Sequence, residues 1–381
     1  MSRSTDPGHF FQTQAYLDDS SRKATKAGND KGKPIKLPGK ILDVVGDPSD
    51  DAYVYVAESA GTGRRVKLDV LFEQDGATQT LYRGAVAPLT SICPIGNNVY
   101  AGCWDNKVWQ WDRKTGAKRA TLNGHSDFVK AVCFIQVGGK NLLVSGGADA
   151  VIAVWDLETG KKLHTLKTDS RGVLGFAVDP IDSTSEAAIV FSAGSNRDIR
   201  IWSIGLTHAA EVQDKPSILA HETSVYKLRF DADGDLWTAS ADNTAKCLTR
   251  ERGWAEDMVL QHPDFVKDIV VDEIGGKVIT ACRDEEVRVW DRGTGALYHT
   301  FSGHYEEVTG LAILGRTLVS VSIDCTIRQW SLKPDELIKA KEAALEEQQN
   351  GALKEQDKKD KPSLLTQEEE DELAELMDDS E

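Results

Sequence analysis

Apolar residues in this chain come in short runs, rich in β-branched and aromatic types and bounded by Gly, Asp, Asn and Ser. The stretch Gly124 to Asp156 shows the repeating unit. It opens on Gly124-His125 and passes two apolar runs, Val129 to Phe134 and Leu142 to Ser145. It turns at Gly146-Gly147-Ala148-Asp149 and closes on Val151-Ile152-Ala153-Val154-Trp155-Asp156. The pattern predicts three strands joined by tight turns, with a fourth, Ala120 to Leu122, just before Gly124. Equivalent endings fall at Leu68, Trp111, Trp155, Trp202, Leu248, Trp290 and Trp330, in steps of 43, 44, 47, 46, 42 and 40 residues. A period of about 40–45 residues with four strands per repeat is that of a propeller blade. Seven endings predict seven blades.

The Gly-His openings, Trp-Asp endings and the polar residues between them resemble the WD-repeat family. The resemblance covers about Pro34 to Leu332 and implies an all-β, seven-bladed propeller over 34–332. It also implies a polar network in each complete blade, in which an Asp accepts from a His, a Ser or Thr links on, and a Trp ring N–H is satisfied. Carried over, the sets are His125, Ser145, Asp149 and Trp155 in blade three, and His262, Thr280, Asp284 and Trp290 in blade six. Blade seven supplies His304, Ser320, Asp324 and Trp330. Blade five has His221, Thr238 and Asp242 with Leu248 for Trp, and blade two has Gly84-Ala85 for Gly-His. Blade four has Asn196 and Asp169 at the Asp and His positions, and blade one ends on Leu68. Such repeated His/Asp/Ser sets are a structural device satisfying buried polar groups, not catalytic triads. Ile35-Lys36-Leu37, an orphan strand before blade one, is expected to close the ring on blade seven, as the family's first segment does. Ala57-Glu58-Ser59-Ala60-Gly61 and the tail Leu373 to Met377 are similar to WD-repeat proteins of filamentous fungi.

Outside the repeats the character changes. Residues 1–33 are polar and read as a disordered leader, with Phe10, Phe11, Tyr16 and Leu17 as its apolar exceptions. Residues 333–381 read as a partly helical, acidic tail. Pro334-Asp335 starts a helix to about Glu347, and Asn350 to Pro362 is a polar linker. Thr366 and Glu369 then form a capping box before an apolar stripe at Leu373, Leu376 and Met377. That stripe is a second contact candidate for a partner surface.

Charge narrows the choice of partners. The net charge is −16, yet residues 1–40 carry eight basic and four acidic side chains, and 333–381 carry seven basic and seventeen acidic. An acidic body argues against direct nucleic-acid binding, which needs clustered Lys and Arg. The cysteines stand singly and read as buried thiols of a reducing compartment, the cytosol or nucleus. No apolar run is long enough for a membrane span. Phosphate-binding glycine loops, zinc helices and nucleophile elbows are absent from the sequence, so no cofactor, metal or enzymatic activity is expected.

The expected role is a protein-interaction scaffold, a monomeric propeller within a complex. The alternatives are an RNA- or ribonucleoprotein-associated assembly factor and a ubiquitin-ligase substrate adaptor. Adaptors in the family carry Arg two positions after Trp-Asp, where this chain has Lys114, Glu158 and Gly293, with Arg113 and Arg292 one position early. By the resemblance, one mouth of the channel is the partner site. Its lining would be Trp104, Phe128, Lys130, Tyr226, Phe265, Lys267 and Arg283. The repeated Asp-Phe-Val-Lys at 127–130 and 264–267 supports this, since a buried position has no need of Lys. Aromatic and basic residues together suit an acidic, partly apolar peptide.

Overall fold

The computed structural model describes residues 14–68, 79–168, 171–213 and 217–359. Seven antiparallel sheets follow one another along the chain. Blade three illustrates the plan. Val129–Val137, Lys140–Gly147, Val151–Asp156 and Lys162–Lys167 pair in sequence order, each by a tight turn. The first strands of successive blades pack against each other around the ring, and that of blade seven, Val308–Leu314, packs on that of blade one, Ile41–Gly46. First strands therefore line the channel. Middle strands carry the core, with Leu142 to Ser145 and Val319 to Val321 fully buried. Facing clusters between blades mix residues of two repeats, such as Val144, Ile152 and Val154 with Val173, Val190 and Trp202. Burying both faces of each blade is what makes a single repeat unstable alone and the ring stable.

Ring closure follows the expectation. Ile35–Lys36 pairs antiparallel with Thr326–Ser331, Ile35 opposite Ile327, and becomes the outer strand of blade seven. Leu37 N–H donates to Cys325 O at 2.8 Å, and Gln329 N–H to Gly32 O at 2.6 Å. Ile35 and Leu37 are buried in the cluster shared by blades one and seven. Blade four carries an extra short strand, Ile218–Leu219, on its third strand, and its first and second strands are joined by a longer connection, Asp179 to Glu186, made of turns and bends.

Two expectations are corrected. The leader is not disordered throughout, because Gln14–Ala27 forms a helix, α1, and 29–33 hook onto blade seven. Composition correctly reports that this segment has no core of its own; ion pairs to the propeller order it instead. In the second compact unit, the helix begun at Pro334 does not stop near Glu347. It runs as α2, Pro334–Lys359, through the presumed linker. Pro at its first position and Asp335 and Glu336 in its first turn suit a helix start. A single Gly351 costs only about 1 kcal/mol in such a sequence. Phe10 and Phe11, Asp169, and the Thr366/Glu369 box with its Leu373, Leu376 and Met377 stripe lie outside the described residues.

Candidate interaction face at the mouth of the channel

The loops before the first strands and the turns between second and third strands share one end of the ring, and polar networks hold them in place. In blade three, His125 Nδ1 lies 3.1 Å from both Asp149 oxygens and Nε2 lies 2.8 Å from Ser145 Oγ. Trp155 Nε1–H donates to the same hydroxyl at 2.8 Å. Gly147 permits this approach, because a Cβ there would lie 2.4 Å from Asp149 Oδ1 and 2.8 Å from His125 Nδ1. Blade seven repeats the set with His304, Asp324, Ser320 and Trp330. Blade five has His221, Asp242 and Thr238, while in blade four Trp202 still donates to Ser192. Replacing His125 by Ala is expected to cost about 1–3 kcal/mol, since Asp149 and Ser145 lose a buried partner. Thermal unfolding checks this, and an unchanged melting temperature would contradict a structural role.

Blade six departs from the expected set. His262 Nε2 meets Thr280 Oγ1 at 2.8 Å and Trp290 Nε1–H donates to that oxygen, but Asp284 is taken by Arg288, at 2.5 Å. His262 Nδ1 turns to Leu260 O instead. Burial, and Arg288 nearby, push the His262 pKa down to about 4, so the ring is neutral at physiological pH. The competing cation two positions before Trp290 was visible in the sequence as Arg288, but the motif gives no weight to that position. Blade two also departs: Asp105 accepts from Trp109, and Trp111 donates to Arg83 O.

At this end of the ring, the seven residues expected to line the partner site fall into three groups. Trp104 and Phe128, on neighbouring blades, stack with ring centroids 4.9 Å apart and planes 12° from parallel. Both keep more than a third of their surface exposed. Lys130 Nζ lies 4.4 Å from the Trp104 centroid and 5.4 Å from that of Phe128, a cation–π arrangement. Burial draws the Lys130 pKa down, against the pull of Asp127. Across the ring, Lys267 Nζ sits 4.2 Å from the Tyr226 centroid and pairs with Glu307 at 3.0 Å. Arg283 lies over Phe265 at 4.5 Å and pairs with Asp264 at 2.9 Å. Two of the three cations are thus balanced by carboxylates. Lys130 has none within 4 Å among the described residues. Val86, 90% exposed, projects from the blade-two loop whose Pro88 carbonyl accepts from Trp104 N–H. In the channel, Lys227 Nζ reaches Asp43 at 3.2 Å, while Asp43 and Asp268 each accept a backbone N–H from the next blade.

The opposite end carries a device that motif reading missed. In four blades an Asp at the end of the first strand is buried and held by an Arg of the following blade. The pairs are Asp47 with Arg113, Asp179 with Arg250 at 2.6 Å, Asp231 with Arg292 at 2.9 Å and Asp272 with Arg316 at 2.6 Å. The signal was present as an Asp at the end of these four first strands and an Arg directly after the third strand of the next blade in three cases, Arg113, Arg250 and Arg292, but the repeat motif gives no weight to either position. The arrangement also accounts for Arg113 and Arg292, which are committed to inter-blade pairs.

Residues 214–247 and 295–331 match the family described as WD domain, G-beta repeat. Residues 120–227 match tRNA methyltransferase TRM82 WD40 domain. The chain is 33% identical over 348 residues to an uncharacterized WD repeat-containing protein of Schizosaccharomyces pombe, covering 87% of this chain and 90% of that protein. It is 27% identical to the nuclear distribution protein PAC1 of Arthroderma benhamiae over 64% of this chain and 48% of that one. Pre-mRNA-processing factor 19 of Mus musculus is 28% identical over 45% of this chain and 33% of its own length. The chain thus spans half or less of the length of these last two relatives.

Proposed function

Because the chain belongs to the WD-repeat family of seven-bladed propellers, we propose that it is a non-catalytic interaction scaffold that takes partner peptides at the channel mouth. The observation that carries this reading is the Trp104–Phe128 stack beside Lys130. Exposed aromatics of this kind are expensive to leave in water and are the types enriched in binding hot spots. An apolar side chain of the partner packs on the stack with Val86. A carboxylate next to it meets Lys130, the cation of the three with no carboxylate within 4 Å among the described residues. Lys267 and Arg283, already paired, set the orientation of the peptide rather than its charge preference. This refines the expectation of a generally basic mouth, since the acid-seeking part is confined to blades two and three. The cytosol and nucleus remain the proposed sites of action, and no described helix is long and apolar enough to cross a membrane.

The test replaces Trp104→Ala, Lys130→Glu, Lys267→Glu and Arg283→Glu together and repeats partner capture from the native source. Loss of partners at an unchanged melting temperature is the expected result. An unchanged partner set would move the site to the blade edges, the other face or the tail.

A second reading, a ribonucleoprotein-associated propeller, is favoured by the TRM82-type match, which contains Phe128, Lys130 and Tyr226. It predicts RNA retention by the purified protein that falls steeply with salt. The ubiquitin-ligase alternative gains no support, because Arg113 and Arg292 are held in ion pairs.

A further inference from the structure

Helix α1 lies on the mouth-side rim of blades six and seven and is fastened there by charge. Arg22 grips Glu285 with both terminal nitrogens, at 2.5 and 2.7 Å. Lys26 reaches Glu285 at 3.0 Å and Glu286 at 2.9 Å, and Lys23 reaches Glu306 at 3.1 Å. Asp264, Asp284 and Glu307 lie nearby and are paired within the propeller, with Arg283, Arg288 and Lys267, so Glu285, Glu286 and Glu306 are the carboxylates that α1 itself answers. Between α1 and the blades a cleft of about 620 Å³ opens to solvent. Glu285 itself is nearly closed off from water. Acidity alone would not make this rim a site. A cationic helix seated on it, with basic side chains at i, i+1 and i+4, shows what it accepts.

The attachment of α1 is separable from ring closure. The hook that follows the helix has contacts of its own with blade seven: Asn29, which also donates to Lys26 O at the helix end, donates to Gly303 O at 2.8 Å, and Arg328 donates to Asn29 Oδ1 and to Lys31 O. Gly28, between helix and hook, has no neighbouring atom within 4 Å of where a Cβ would stand. The helix can thus leave at the cost of its ion pairs and the Asn29–Lys26 bonds while Ile35–Lys36 stays paired. The side chains that hold it are partly exposed, and such ion pairs are individually weak and screened by salt.

We propose that the acidic rim of blades six and seven is a docking surface for a basic helical segment of a partner protein, and that α1 is its resident, displaceable occupant. The surface is separate from the Trp104–Phe128 stack, so the proposal does not depend on the peptide site at blades two and three. In the resting protein α1 competes from an effective concentration on the order of millimolar, as short tethers allow. A partner helix gains access by presenting the same spacing of basic residues with further contacts in the cleft.

The experiment titrates a fluorescent peptide of residues 14–29 into the full-length protein and into its R22E/K23E/K26E variant, read by anisotropy. Reversing the charges vacates the rim, so the variant is expected to bind the peptide about tenfold or more tighter than the wild type. Adding E285Q and E306Q to the variant should abolish that gain, as should raising salt. Equal affinity for wild type and variant overturns the proposal. So does equal binding of a scrambled peptide, which would mean charge attraction without a helical register. Should the variant melt early, R22Q/K23Q/K26Q vacates the rim without adding negative charge and is read in the same way.

Discussion

Deleting residues 1–40 is expected to give an aggregating protein with a melting temperature well below that of the wild type. Three losses combine. Ile35 and Leu37 leave the cluster between blades one and seven, each contributing about 1.5–3 kcal/mol by burial. The edge of Thr326–Ser331 is uncovered, and an unpaired edge is a template for association. Arg328, almost fully buried, loses Asn29 and Lys31 as acceptors. The total is on the order of 5 kcal/mol, a large part of a typical folding free energy. Size-exclusion chromatography and thermal unfolding provide the readout. Deleting only residues 1–27 keeps hook and strand and should leave the oligomeric state as in the wild type. If both truncations behave like the wild type, the closure carries no stability and the ring is held by the other blades alone.

The second large effect is expected at Asp47. Its carboxylate receives Arg65 at 2.6 Å, Arg113, Tyr55 O–H at 3.3 Å and the Ser49 N–H and hydroxyl. Burial raises its pKa, but the Ser49 and Arg65 bonds and the Arg113 charge outweigh this and hold it below the ordinary value. Asp47→Ala leaves two guanidinium groups facing each other without a counter-ion. Breaking a buried pair from one side costs about 3–5 kcal/mol, and because both Arg side chains touch solvent the lower end is expected. The midpoint of urea unfolding measures it, and a change below about 1 kcal/mol would show the clamp to be idle. With a folded pKa below the unfolded value of about 3.9, the contribution is complete at neutral pH and disappears on acidification through the folded pKa.

The propeller was legible because its repeat is written in residues with no freedom of place. Gly147 must be small, Ser145 must sit between His125 and Trp155, and the apolar runs must bury both faces of a blade. Blade one was legible only by spacing, since Leu68 fills the place of the indole. The mouth residues were placed by their position in the repeat, and the stacking of Trp104 on Phe128 could not be read from it, because those two belong to different blades. The ion-pair partners were hidden for the same reason. Arg22 and Glu285, or Arg113 and Asp47, are far apart in the chain and come together only when the ring exists. Asp284 illustrates the limit: a motif assigns it to His262, yet a stronger cation four residues on takes it.

The pairing of Ile35 with Ile327 also sets a timetable for biosynthesis. The strand that seals the ring emerges from the ribosome before any blade, and its partner only after six blades have been made. At about 5–20 residues per second, the interval between them is roughly 15 to 60 s. Through that interval the nascent chain holds up to six blades and an unsatisfied apolar strand before them, and the carboxylates that receive Arg22 and Lys26 are made only with blade six. Translation that stalls after blade six leaves an open arc that cannot protect either end. The protein's demand for chaperones therefore falls during synthesis, before the first native molecule exists, and a pause late in that interval leaves more unsealed blades waiting than an equal pause near blade two.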